Sequence, residues 1–157
     1  MGLKQFEAIV RRAGQFSDEP TVRVDEVHPF QLRSVHEKLP AKVRRLFDDG
    51  HYAEATFEAF KFIDRRVSSL SGVKESGYKL MMAALAESGP MKLNDLSTDT
   101  EKDEQRGYQF MLAGAMSAVR NPRGHEFDMF DPAETCLDHL SLASLFIRKI
   151  EEAGYEI

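Results

Sequence analysis

Cysteine occurs once in the 157 residues. A lone Cys136 excludes an intramolecular disulfide and a cysteine-rich zinc site, and points to a reducing, intracellular compartment. Positive charge is also in short supply: the formal net charge is -5. The chain as a whole therefore does not attract nucleic acid, and any RNA contact has to come from a local basic patch. No apolar run approaches the roughly 18 residues that suggest a membrane span. The start, MGLKQFEAIVRR, lacks the apolar core of a signal peptide, so a cytoplasmic protein with no membrane contact is expected. There is no HExxH, no cluster of Cys and His and no Asp-rich calcium loop, nor a Walker A loop or GxGxxG fingerprint. Neither a metal nor a nucleotide cofactor is expected.

Strand-like alternation is nearly missing too, and what fills the chain is helical periodicity punctuated by Gly and Pro. A first helix is expected from Leu3 to about Ala13. The polar run from Phe16 to Pro29 reads as a linker, dividing an N-terminal extension (1–29) from a domain (30–157). Segments Phe30–Lys38 and Pro40–Asp49 follow, the second opening on Pro and closing on Gly50. From His51 onward Tyr52, Ala53, Thr56, Phe57, Phe60, Ile63, Val67 and Leu70 recur at helical spacing. A shorter helix carries Tyr78, Leu80, Met81, Ala84 and Leu85 and stops at Ser88-Gly89-Pro90. After a loop from Asn94, Asp99 or Thr100 caps a helix with Tyr108, Met111, Leu112, Ala115, Met116 and Val119 as its buried stripe, Gly107 and Gly114 permitting close backbone approach. Asp131-Pro132 starts the last helix, with Ala133, Leu137, Leu140, Ala143, Ile147 and Ile150 at core spacing. The expectation is an all-α bundle of four or five helices with a helical N-terminal extension.

The stretch that carries chemistry is Arg120-Asn121-Pro122-Arg123-Gly124-His125. A strongly periodic helix runs out there, and Pro122 is expected to turn the backbone out of helix. Arginine offers a planar fork of donors that matches phosphate, histidine exchanges a proton near neutral pH, and asparagine orients either one or binds substrate. These are the parts needed to cleave a phosphodiester without a metal. The arginine-to-histidine spacing alone is weak, because Arg23–His28, Arg44–His51 and Arg45–His51 also fit. Only Arg120 is followed directly by Asn and delivered by a periodic helix. Residue types by themselves also allow Arg120 as a cap of the last helix carbonyls and His125 as a solvated loop residue.

The helix GHYAEATFEAFKFIDRRV, the glycine-containing helix GYQFMLAGAMSAV, the run RNPRGHE and a closing helix together resemble a bacterial and phage-borne family. It is often called Ymh, or abortive-infection-associated hypothetical proteins, and is grouped within the HEPN superfamily. The resemblance covers about Leu39 to Ile150. It implies a HEPN-like bundle, commonly dimeric, and a metal-independent endoribonuclease whose motif maps onto Arg120, Asn121 and His125. Two copies of the motif loop would meet across a two-fold axis to form one composite site. A role in phage defence or as a toxin is implied as well, with an antitoxin or a phage-derived trigger as partner. Because members of the superfamily can lose activity while keeping the fold, the alternative is a non-catalytic helical dimer that binds RNA or protein.

Other residues carry two readings each. Arg123 is either an RNA-backbone contact or a solvated loop cation. Glu54, one turn before Glu58, is either an accessory to the motif or part of a solvated face. His51 and His139 read as capping or solvent-exposed, and His28 as linker. Lys42, Arg44, Arg45, Lys61, Arg65 and Arg66 offer a positive path for RNA, although helices commonly carry such charges without a ligand.

Overall fold

The computed structural model of the chain describes residues 27–126 and 129–157. The expected helix from Leu3 to Ala13, and the linker as far as residue 26, lie outside the described residues. Every regular element among those residues is helical: α1 Pro29–Leu32, α2 Ala41–Asp48, α3 Tyr52–Ser71, α4 Gly77–Ala84, α5 Asp99–Ala115, a π-helical turn Met116–Arg120, α6 Asn121–His125 and α7 Ala133–Glu152. The all-α bundle expected from the periodicity is the observed architecture.

The centre of the bundle is α3, which packs against α2, α4, α7 and the π turn. It buries Ala53, Thr56, Phe60, Ile63 and Val67 at the expected spacing, together with Ala55, Ala59 and Asp64. Gly72, in the left-handed region at φ 71°, ends it, a conformation open to glycine at no steric cost. Facing it, α7 buries Leu137, Leu140, Ala143, Ile147 and Ile150, with Cys136, Ser144 and Phe146 filling the same side. A fully buried side chain such as Phe60 or Phe146 contributes roughly 1.5–3 kcal/mol through removal of apolar surface from water.

Several expectations are corrected. The Phe30–Lys38 segment is a single helical turn followed by turns, because Ser34 adopts φ 50° and ends the helical path. His28 is not free linker: its Nδ1 accepts the Phe30 N–H at 3.1 Å and caps α1, while Nε2 meets Asp48 at 2.7 Å. α5 is capped by Thr98, not Asp99 or Thr100, through a capping box in which Glu101 answers back to the Thr98 backbone. Its buried stripe is also rotated. Met111 is exposed and Tyr108 half-buried, whereas Gln105 and Gln109 are buried. The reason is the irregular chain after α4, whose backbone groups need partners. Gln105 donates to the Leu85 and Met91 carbonyls and accepts from the Leu93 N–H, and Gln109 donates to the Met82 carbonyl. Tyr78, on the shorter helix, is likewise exposed. Gly107 and Gly114 face open space, with no heavy atom within 4 Å of where a Cβ would sit.

Candidate functional site

Pro122 does not turn the chain out of helix, contrary to expectation. The helix widens into the π turn, the Asn121 N–H reaches back to the Met116 carbonyl, and Pro122 enters at the start of α6. The wide turn accommodates a residue that has no N–H to give and whose ring would clash with the carbonyl four residues back in a regular helix. The chain thus carries Arg120, Asn121 and His125 on continuous helical backbone. One turn of α6 separates the two ends of the motif.

Arg120 lies back toward α3. Its guanidinium carbon is 5.8 Å from the centroid of the Phe57 ring, Nη2 is 3.9 Å from Asp64 Oδ2, and Nη1 donates to Asn121 Oδ1 at 3.4 Å. Its Nε is buried and has no partner among the described residues. Lys61 stands over the same Phe57 ring at 5.5 Å, so the ring face meets two cations. Phe57 also fixes the second half of the motif. A Cβ on Gly124 would lie 2.7 Å from Phe57 Cε2, so glycine lets α6 sit on the ring where any side chain would have to displace it. Phe57, Arg120, Asn121, Gly124 and His125 line one small depression of about 100 Å³. The exposed His125 also borders a neighbouring cavity of about 300 Å³ that includes Ala53, Glu54, Glu126 and Met129. Glu54 is therefore near His125, and it also lies 3.9 Å from His51, which is exposed.

Arg123 is not a solvated loop cation, although it borders the same cavity as His125 and Glu54. With its side chain 6 % exposed, it grips Asp131 through Nε at 2.5 Å and Nη2 at 2.7 Å, and Nη1 donates to the Val119 carbonyl at 2.7 Å. Three of its five N–H donors tie α6 to the π turn and to the start of α7. His139 is half-buried rather than a cap or a solvated residue. Burial, and then the Arg123 cation, holds its pKa below the ordinary value, so it stays neutral at pH 7. Burial pushes the Cys136 thiol up, which keeps it protonated and unsuited to nucleophilic work. Much of the basic cluster is engaged internally. Lys42 and Lys61 share Glu58 at 3.1 and 3.2 Å, outweighing burial so that its carboxyl falls below the ordinary value. Arg44 approaches Asp48 at 3.8 Å, and Arg66 donates to the Glu156 carbonyl.

Sequence reasoning missed Asp64, Gly124 and Asp131 and treated Phe57 only as core. For Asp64 a signal exists, since it is a carboxylate four residues after Phe60 and three before Val67, inside an apolar stripe. A charge at that register is buried by the helix that carries it and needs a partner.

The fold and site define a helical-bundle protein that presents an arginine, an asparagine and a histidine around one small depression at a widened helix end. Within that class, the chain belongs to the family described as a protein of unknown function (Hypoth_ymh), whose model matches residues 33–150. The match begins a few residues before the stretch on which the resemblance was read and ends at the same residue. No curated protein and no solved structure matches the chain.

Proposed function

We propose that the protein is a metal-independent endoribonuclease of the HEPN type, acting as a homodimer in the cytoplasm without a cofactor. The observation that carries this reading is the convergence of Arg120, Asn121 and His125 on one depression. An RNA 2'-hydroxyl attacks the adjacent phosphorus and its proton passes to an imidazole. The bond to the 5'-oxygen breaks, and that oxygen takes a proton from the imidazole of the second copy. The products are a cyclic phosphate and a 5'-hydroxyl. Arg120 binds the nonbridging oxygens, where a preorganised cation counts most as charge builds. Asn121, already bonded to Arg120, orients it. Arg123, clamped by Asp131 and the Val119 carbonyl, and Glu54 are accessories beside the site with no step in the chemistry. The resemblance to the superfamily supports a setting in phage defence or as a toxin, with an antitoxin or a phage-derived trigger as partner.

The test is cleavage of a mixed RNA pool in EDTA by the full chain and by His125→Ala, with product ends identified. Wild type is expected to leave cyclic phosphate and 5'-hydroxyl ends, and the variant to be slower by ~10²–10⁴-fold, the usual weight of proton transfer. Equal cleavage by both, or none by a folded dimeric wild type, overturns the reading in favour of a binding module.

A further inference from the structure

Asp64 occupies a core register of α3 with its side chain 9 % exposed. A carboxylate there is costly unless its charge is answered. Its two oxygens serve different elements. Oδ1 accepts the Gly77 N–H at 2.5 Å, at the first residue of α4, where Ser76 makes no side-chain cap. Oδ2 faces Arg120 Nη2 at 3.9 Å. The two elements come into ordinary contact at this corner, since a Cβ on Gly77 would lie 3.6 Å from Arg120 Nη1. A helix N-terminus carries partial positive charge, so α4 and the guanidinium repel each other. The carboxylate is bonded to one and faces the other, offsetting both.

The separation matters as much as the sign. At 3.9 Å the carboxylate attracts the guanidinium without accepting a hydrogen bond from it. Arg123 shows the opposite arrangement, in which Asp131 closes on the fork with two hydrogen bonds. Arg120 is instead held by charge from Asp64 and by the Phe57 ring, and its Nε, buried and unpartnered among the described residues, still needs an acceptor.

We infer that Asp64 is the positioning residue of the site: it holds Arg120 over Phe57 at a distance that leaves the guanidinium fork open to a phosphate oxygen. This rests on the proposed phosphodiester chemistry for its role in turnover, but the hold on Arg120 is measurable without it. Asp64→Asn separates the two duties of the side chain, because the amide oxygen still accepts from Gly77 while the charge facing Arg120 is gone.

The experiment follows the Arg120 Nε–H resonance of the full chain by ¹⁵N NMR, with and without inorganic phosphate, alongside RNA cleavage. In Asp64→Asn the resonance is expected to shift and lose order, and its response to phosphate to weaken. The kcat is expected to fall 10- to 100-fold, as small misplacements of a catalytic group do, with KM changing less and the thermal midpoint lowered by the unopposed charges of Arg120 and the α4 N-terminus. An unchanged resonance and phosphate response overturns the inference, as does a displaced Arg120 with unchanged kcat. If wild type cleaves no RNA, the ribonuclease reading falls by itself, and the phosphate response decides: weaker in Asp64→Asn supports the inference, equal overturns it. Should Asp64→Asn fail to fold, Asp64→Glu, which keeps the charge but moves it by a methylene, carries the same comparison.

Discussion

At the scale of single residues, the two arginines of the motif are told apart by what their forks touch. Arg123 and Asp131 form a closed, buried pair, 6 and 7 % exposed, that ties the His125-bearing turn to α7 across the loop. Such a pair is weak evidence for net stability, but breaking it from one side strands a charge in the interior. Asp131→Leu is therefore expected to cost roughly 3–5 kcal/mol in urea unfolding of the full chain. The double variant Arg123→Met/Asp131→Leu is expected to recover most of that loss, because neither charge is left. A single-variant loss below ~1 kcal/mol would mean that water reaches the pair and screens it.

At the scale of elements, α5 depends on an N-terminal box whose parts are all local. Thr98 accepts the Glu101 N–H, and Glu101 accepts from the Ser97 hydroxyl and the Ser97 and Thr98 backbone. Those bonds from Ser97 and Thr98 lower the Glu101 pKa. Thr98→Ala is expected to cost about 1 kcal/mol. The sign of the pH effect follows from the lowered pKa: the contribution of Glu101 is present above pH 4.5 and is lost as pH falls through the folded value. Thermal midpoints of wild type and Glu101→Gln should therefore differ at pH 7 and converge in acid. Equal midpoints at pH 7 would remove the box as a stabilising device. This box also marks where the sequence was readable and overlooked, since Thr-x-x-Glu before an apolar run is a helix-start signature. Helices α3 and α7 were legible because their apolar residues repeat over five turns and bury as spaced. The α5 stripe was not, because Gln105 and Gln109 are buried by the backbone groups they satisfy, which no hydropathy pattern registers. The motif residues were legible as chemistry, and Pro122 as a helix breaker. The π turn that absorbs the proline, and the Asp64 and Phe57 supports contributed from α3, depend on contacts between elements far apart in sequence.

At the scale of the whole molecule, the ribonuclease reading requires a second copy to complete the site, and α5 offers a face for it. Phe110 and Met111 are 54 and 45 % exposed. Gly107, Gly114 and Ala118 are exposed on the same side, one and two turns away, and the face runs on to Asn121. Large apolar side chains set between glycines with free space over them are poorly suited to water and well suited to close approach by another backbone. A two-fold interface uses the same patch twice, so one substitution acts twice at the axis. Phe110→Asp would bring two carboxylates together where two rings had met. Wild type is expected to sediment as a dimer at micromolar concentration, and Phe110→Asp as a folded monomer that has lost cleavage while keeping Arg120, Asn121 and His125 intact. Mixing wild type with excess His125→Ala then examines the composite site directly. If the two proton transfers use one imidazole from each copy, the mixed dimer with a single imidazole is as slow as His125→Ala, and the variant suppresses wild-type cleavage beyond simple dilution. A monomeric wild type that cleaves RNA would place the whole reaction in one copy and leave the α5 face without this role.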